Sequence, residues 1–452
     1  MRRRLLLLAA LLASACAGPT ASTGPTGHEN PAASLPLEPA SSSVAPLAGD
    51  FLLVGRIVTM AEPAEVEAIL IVDGRVTAMG TRATVEAAAT SETKVIELGS
   101  NVAYPGFIDA HSHWIGDRER NYGPASAADA MEAAVSRGWT SIAELWVHDD
   151  RLRELEELDA AGELVPRVDA YLALSDPEGR KLGDWYVGME PGRRSDRLRV
   201  AGLKIHLDTE WGSRITWERD ELRDAVERAD ALGWQVAVHT VGTEAHDMVL
   251  DAFEQALDGG GNVLHHRIEH AIQVSDAQLA RMIDLGIVVV IHTDGAATDW
   301  AADPMFIENL GADPSLLARW RDFFDAGLHV ASAVDTPWMF PDQQLSDDIG
   351  RVVDQVAGGM DGRGRVNADT PEWVLEQLLT PEQGLAAITT EAAYAINDEG
   401  NRGHLAPGTF GDVTVLSGDI IPGTPDDIRS LSVVATIVGG ATVFCGDASV
   451  CP

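Results

Sequence analysis

The chain has 452 residues, 45% hydrophobic and 23% charged, which is enough apolar material for a large core and excludes disordered and collagen-like classes. Its 33 Lys+Arg stand against 70 Asp+Glu, a formal net charge of −37 that repels phosphate backbones and excludes nucleic-acid binding. The acidic excess reads as a solvated surface and says little about substrate.

Arg2, Arg3 and Arg4 precede an apolar run over 5–12, then Ala13-Ser14-Ala15 and Cys16. This pattern is an export signal over 1–16, too short to span a bilayer as a mature helix. The small-small-Cys ending is similar to a bacterial lipoprotein signal, with Cys16 as the lipidated residue and the cell envelope as the destination. Ala13-Ser14-Ala15 also reads as an ordinary A-x-A cleavage site; the lipoprotein reading is preferred. Residues 17–49 are rich in Pro, Ser, Thr, Ala and Gly and read as a flexible tether.

Short β-rich runs begin at Phe51, over 51–60, 68–78 with a turn at Asp73-Gly74, and 94–98. From residue 102 strand-like runs alternate with amphipathic helical stretches, the pattern of successive βα units. Strands are expected over 102–108, 141–146, 167–174, 200–207, 235–240, 266–271, 287–292 and 329–334. Eight parallel strands is the count of a TIM barrel. Helices are expected over 217–232, 244–257, 276–285, 315–326 and 378–396. The chain then returns to short strands broken by glycines, with a closing hairpin over 437–444. The expected organisation is therefore α/β: a (β/α)8 barrel over 102–402, and a small β-sheet domain formed jointly by 50–101 and 403–452. Cys445 and Cys451 are expected to pair in an oxidising compartment.

The most specific chemical feature is Pro105-Gly106-Phe107-Ile108-Asp109-Ala110-His111-Ser112-His113. Residues i and i+2 on a strand share a face, so His111 and His113 can bind one ion at the end of the first barrel strand, where barrel active sites lie. An isolated H-x-H is weak evidence, but His239, His270 and Asp335 stand at the ends of later strands. Each alone reads as a core histidine or a capping aspartate; their recurrence at equivalent topological points argues for a metal centre.

Over about 51–444 these motifs resemble the amidohydrolase superfamily, metal-dependent hydrolases built on a distorted TIM barrel beside a small β-sandwich. The amidohydrolase-3 branch is indicated by Gly202-Leu203-Lys204-Ile205 leading to Asp208 and Gly212-Ser213-Arg214. Arg267-Ile268-Glu269-His270 and the stretch from Gly403 through Val413 support it. The resemblance implies one metal held by His111, His113 and Asp335, a second by His239 and His270, and a carboxylated Lys204 bridging them. Lysine occurs only at Lys94, Lys181 and Lys204 in this chain, and arginine could not be carboxylated in its place. On residue type alone, Lys204 also reads as a surface lysine or an ion-pair partner of Asp208.

The implied reaction is hydrolysis of an amide-like, non-peptide C–N bond of a small molecule. One or two divalent ions, zinc being the expected one, would activate water, and Asp335 would act as general base and then general acid. The pattern frays where Asp208 is followed by Thr209-Glu210-Trp211 and where Gly242 is followed by Thr243, which leaves substrate preference open. The usual long insertion between the first two strands is missing, so a more open pocket is expected. Two other readings stand: a non-catalytic binding lipoprotein on the same barrel, and a related hydrolase of esters, lactones or phosphoesters. His292 reads as a substrate contact or a wall residue, and His246, His265 and His266 read as donors that orient ligands or, for the tandem pair His265-His266, as structural histidines. Trp114, Trp146, Trp211 and Trp338 read as pocket lining or as packing under loops.

Overall fold

The computed structural model describes residues 49–118, 126–209, 212, 214–293, 313, 316–336, 350–363 and 372–451. The export signal with Cys16, the tether up to residue 48, and Trp211 and Trp338 lie outside the described residues. Among the described residues no helix is long and apolar enough to cross a membrane.

Among the described residues sixteen strands follow in chain order. The first four are β1 (Phe51–Val58), β2 (Glu65–Val72), β3 (Arg75–Gly80) and β4 (Lys94–Pro105). Next come β5 (Phe107–Ser112), β6 (Trp139–Val147), β7 (Arg167–Ala173), β8 (Gly192–Arg193), β9 (Leu198–His206) and β10 (Gln235–Thr240). Then follow β11 (Arg267–His270), β12 (Val288–Ile291), β13 (Val330–Ser332), β14 (Val413–Leu416), β15 (Val433–Val438) and β16 (Ala441–Cys445).

The two ends of the described chain share one sheet, in the order β16-β15-β14-β4-β1-β2-β3, mostly antiparallel with β1 and β4 parallel. Strand alternation gives it two buried faces. Phe51 and Leu53 point into one apolar cluster with Ile96, Val413, Val415 and Ile437, so both wings of the sheet share a core. Leu52 and Val54 point the other way, with Leu70 and with Val85 of the short helix Arg82–Glu86. Two hairpin turns need left-handed backbone: Asp73-Gly74 (φ 49° and 74°) and Gly439-Gly440 (φ 56° and 76°). They pack against each other so closely that a Cβ on Gly74 would stand 2.9 Å from the Gly439 carbonyl oxygen. Cys445 and Cys451 form the expected disulfide at the tail.

The second sheet is a nearly closed parallel barrel in the order β13-β12-β11-β10-β9-β7-β6-β5, with β8 paired to β9 off this path. Its strands are buried on both faces, as every residue of β7 shows, because helices cover the outside and side chains fill the inside. The interior is narrow and takes small residues: Ala110, Ala143, Ala201, Ala237, Ala331 and Ala333 share a cluster with Ile108, Val288 and Val290. The seam between β13 and β5 is closed by backbone bonds from Asp335 N to the His111 carbonyl oxygen (2.9 Å) and from His113 N to that of Thr336 (2.9 Å). Buried Asp109 adds a third bond, accepting from Val334 N at 3.0 Å.

Three expectations are corrected. The strand expected over 102–108 is two strands: residues up to Pro105 belong to the first sheet, and the barrel begins at Phe107. Gly106 makes the crossing, donating its N–H to Asp412 O at 2.8 Å where a Cβ would stand 2.8 Å from Asp412 Cβ. The helix expected over 378–396 is two, Pro381–Ala387 and Thr390–Ala395. The break falls at Thr389, whose hydroxyl donates to Leu385 O at 2.6 Å and competes with the backbone ladder. The helix expected over 315–326 is the shorter Trp320–Asp325, residue 315 lying outside the described residues.

Candidate metal centre

Parallel strands deliver their last residues to one rim, and here that rim carries nitrogen and oxygen donors. One cleft is lined by all six sequence-derived candidates: His111, His113, Lys204, His239, His270 and Asp335. Its apolar wall is Pro177, Val241 and Ile272.

His111 and His113 leave β5 on one face, and Asp335 meets them from beyond β13. Asp335 Oδ1 lies 3.4 Å from His111 Nε2 and 3.3 Å from His113 Nε2. Donors bonded at about 2.0–2.1 Å to a tetrahedral ion stand about 3.3 Å apart, so this triad has ligand spacing. The other His111 nitrogen is committed: Nδ1 is 2.5 Å from Glu269 Oε2, and a carboxylate can only accept, so Nδ1 carries the proton and Nε2 keeps its lone pair. Glu269 is itself fully buried, with Arg267 Nε 2.7 Å from its Oε1, a charge pair without an aligned hydrogen bond. Burial pushes the Glu269 carboxyl up while the Arg267 guanidinium pulls it down.

His239 and His270 form the other side, their ring centroids 4.5 Å apart. His239 Nε2 is buried without a hydrogen-bond partner among the described residues, Asp208 Oδ1 standing off at 3.6 Å. Such an orphaned lone pair is costly unless something electrophilic meets it. His270 Nδ1 is 2.7 Å from His292 Nε2, and His292 Nδ1 is 2.9 Å from Ala333 O.

Lys204 lies between the two groups on β9, fully buried, with Nζ 3.5 Å from His111 Nε2 as its hydrogen-bond contact among the described residues. Burial pushes its ammonium down to about 8 against the pull of Glu269 and Asp335. It is neither a surface lysine nor an ion-pair partner of Asp208, whose carboxylate accepts from Val241 N at 3.1 Å and Gly242 N at 2.8 Å. Burial, then Lys204, pushes His239 down to about 3, and burial holds His111 and His270 well below the ordinary imidazole range. These rings are neutral donors, the form a metal requires. Burial also works against charge at the triad, yet the bond between His113 and Asp335 prevails, raising the imidazole and lowering the carboxyl.

Two contributors, His206 and Glu269, escape sequence reasoning. His206 lines the cleft, i+2 from Lys204 on the same strand face, an alternation that could have revealed it. Glu269 sits inside a stretch that carries the family resemblance and a candidate histidine, but no spacing assigns the glutamate itself a role. His292, read from the sequence as a substrate contact or a wall residue, instead meets His270 and is not among the residues that line the cleft. His266 takes a structural role, accepting from Val236 N at 3.1 Å, and His265 bonds Tyr394 O. Trp114 is fully buried and donates to Asp109 Oδ2 at 2.9 Å, so it is packing and not cleft lining. His246 is buried, with Nδ1 2.8 Å from Gly242 O, and Trp146 stands edge-on to His206 with ring centroids 5.8 Å apart.

The model of the amidohydrolase family matches residues 117–444. The chain belongs to the amidohydrolase family. Among curated relatives of this amidohydrolase, N-substituted formamide deformylase of Arthrobacter pascens is 26% identical over 338 residues, covering 69% of this chain and 58% of the relative. Protein LONG AFTER FAR-RED 3 of Arabidopsis thaliana is 28% identical over 268 residues, covering 55% of this chain and 44% of the relative. The chain thus spans about half the length of the curated relatives it matches. Among solved structures, an uncharacterized metal-dependent hydrolase from Pyrococcus horikoshii OT3 superposes with a TM-score of 0.66 at 20% identity, covering 84% of this chain and 99% of that one. That likeness is one of fold.

Proposed function

We propose that this amidohydrolase is a metal-dependent hydrolase that cleaves an amide-like, non-peptide C–N bond of a small molecule. The observation that carries the reading is Lys204: a fully buried amine with no carboxylate partner among the described residues, set among imidazoles whose lone pairs face a cleft. As the neutral amine, Nζ adds to the carbon of CO2 and releases one proton, giving a carbamate whose oxygens would serve both sides of the site. His111, His113 and Asp335 would hold one divalent ion, with zinc expected, and His239 and His270 a second. When bound, such ions polarise a carbonyl and make water nucleophilic near neutral pH.

The chain's own residues supply the rest. Asp335, held ionised by His113, accepts the proton of the attacking water and returns it to the leaving nitrogen. Glu269 fixes His111 so that the site keeps its shape as charge develops. Pro177, Val241 and Ile272 would seat the apolar part of the substrate and exclude water. The similarity to N-substituted formamide deformylase favours C–N over C–O substrates. We further propose export with lipid attachment at Cys16, tested by acyl-label incorporation that Cys16→Ala abolishes.

The test of the metal reading is elemental analysis of chelator-free protein beside Lys204→Ala, followed by a screen of N-formyl and N-acyl amines. Two ions per chain, falling in the variant, is the expected result. One ion untouched by the variant refutes the bridging role of Lys204, and no ion refutes the metal reading.

A further inference from the structure

His292 directly follows β12 and is buried against the site, yet no motif assigns it a role. Its two ring nitrogens are both engaged, and the partners dictate where the protons are. A backbone carbonyl can only accept, so the 2.9 Å contact with Ala333 O requires a proton on His292 Nδ1. In the neutral ring Nε2 is then an acceptor, and the 2.7 Å contact with His270 Nδ1 requires a proton on that nitrogen. His270 Nε2 is left with its lone pair. The 2.7 Å separation is also too short for two nitrogens sharing one tetrahedral ion, whose ligands stand about 3.3 Å apart. His292 is therefore not a co-ligand of His270 at these atoms, although both belong to a histidine group dense enough to hold a metal.

We infer that His292 is a positioning residue: through the relay Ala333 O, His292, His270 it locks His270 in the Nδ1-protonated tautomer and presents Nε2 to a divalent cation. The inference rests on the metal reading above for its purpose, and on the hydrogen-bond geometry alone for the tautomer. The relay ties together the ends of β11, β12 and β13. Ala333 lies two residues before Asp335, so the backbone that carries Asp335 also orients His270 from the opposite side of the site.

Two measurements test it. Long-range proton–nitrogen correlation on histidine-labelled, metal-free protein reads the tautomer directly in the unaltered chain. A proton on His270 Nδ1 is expected, and a proton on its Nε2 overturns the inference whether or not any variant folds. Zn2+ titration against a competing chelator then compares the parent with His292→Phe and His292→Gln. Phenylalanine keeps the ring and loses both bonds, and weakens uptake of one ion 10- to 100-fold. Glutamine places an oxygen where Nε2 was and restores uptake to within about threefold of the parent. Equal binding by parent and His292→Phe, or equal loss in both variants, overturns the inference. A parent that takes up no ion overturns the metal reading instead, leaving the tautomer result to stand or fall separately.

Discussion

Glu269 is the residue whose loss should separate stability from site chemistry. It is fully buried, 2.5 Å from His111 Nδ1 and 2.7 Å from Arg267 Nε. In Glu269→Gln the Arg267 guanidinium keeps, among the described residues, only neutral partners: Ala395 O at 3.2 Å, Ala110 O at 2.9 Å and the Tyr171 face at 4.5 Å. Removing one partner of a buried pair costs about 3–5 kcal/mol, because the remaining charge is stranded. With an unfolding entropy of about 2.1 cal/mol/K per residue over about 400 residues, Tm should fall by about 4–6 °C. Replacing both partners, as Arg267→Met with Glu269→Leu, removes the stranded charge and should recover most of that loss. It still leaves the His111 Nδ1 proton without an acceptor, so zinc affinity should stay 10- to 100-fold below the parent. Calorimetry of the metal-free proteins and chelator competition read the two effects apart. A Glu269→Gln chain melting with the parent would refute the pairing argument, and a double variant with parental zinc affinity would refute the orienting role.

Asp335→Asn keeps an oxygen at the triad and removes the base, so zinc uptake should stay within about tenfold while turnover falls about 10²- to 10⁴-fold. Equal loss of metal and activity would make Asp335 chiefly a ligand. Away from the site, Asp169 is buried between Arg199 (2.6 Å) and Arg402 (2.8 Å). Burial raises its carboxyl, but the two guanidiniums outweigh it and hold the group well below the ordinary range. The stability this supplies is complete above the unfolded value of about 3.9 and is lost as pH falls through the window beneath it. Asp169→Asn should therefore lower Tm near neutrality and flatten its acid dependence; an unchanged acid limb in a Tm–pH series would count against the network.

Much of the barrel is legible because its strands are apolar runs bounded by turn residues, and the expected 235–240 is the strand Gln235–Thr240. The ligand candidates are legible for the same reason: a histidine or aspartate that terminates such a run stands out. What is hidden depends on contacts between distant segments. The strand ending at Pro105 and the one starting at Phe107 look continuous until Asp412, far along the chain, meets Gly106. The break at Thr389 likewise depends on which carbonyl its hydroxyl finds. Glu269 and His292 gain their roles from His111 and His270 across the rim, pairings that no spacing along the sequence encodes.

The backbone at the rim carries a related signature. His270 (φ 71°), Ala271 (φ 44°) and Asp335 (φ 54°) are non-glycine residues in the left-handed region, all at the ends of barrel strands. Such conformations cost about 1–3 kcal/mol each and persist only where surrounding bonds over-determine them. Asp335 N is fixed to His111 O at 2.9 Å, and the His270 ring is held by His292, which is itself held by Ala333 O. An extended backbone at His270 or Asp335 would continue the strand and carry the side chain along it. The left-handed turn redirects the chain at the residue that bears the donor, so strain, seam closure and ligand orientation are one arrangement, in which loosening any hydrogen bond should disturb the donors before it disturbs the barrel.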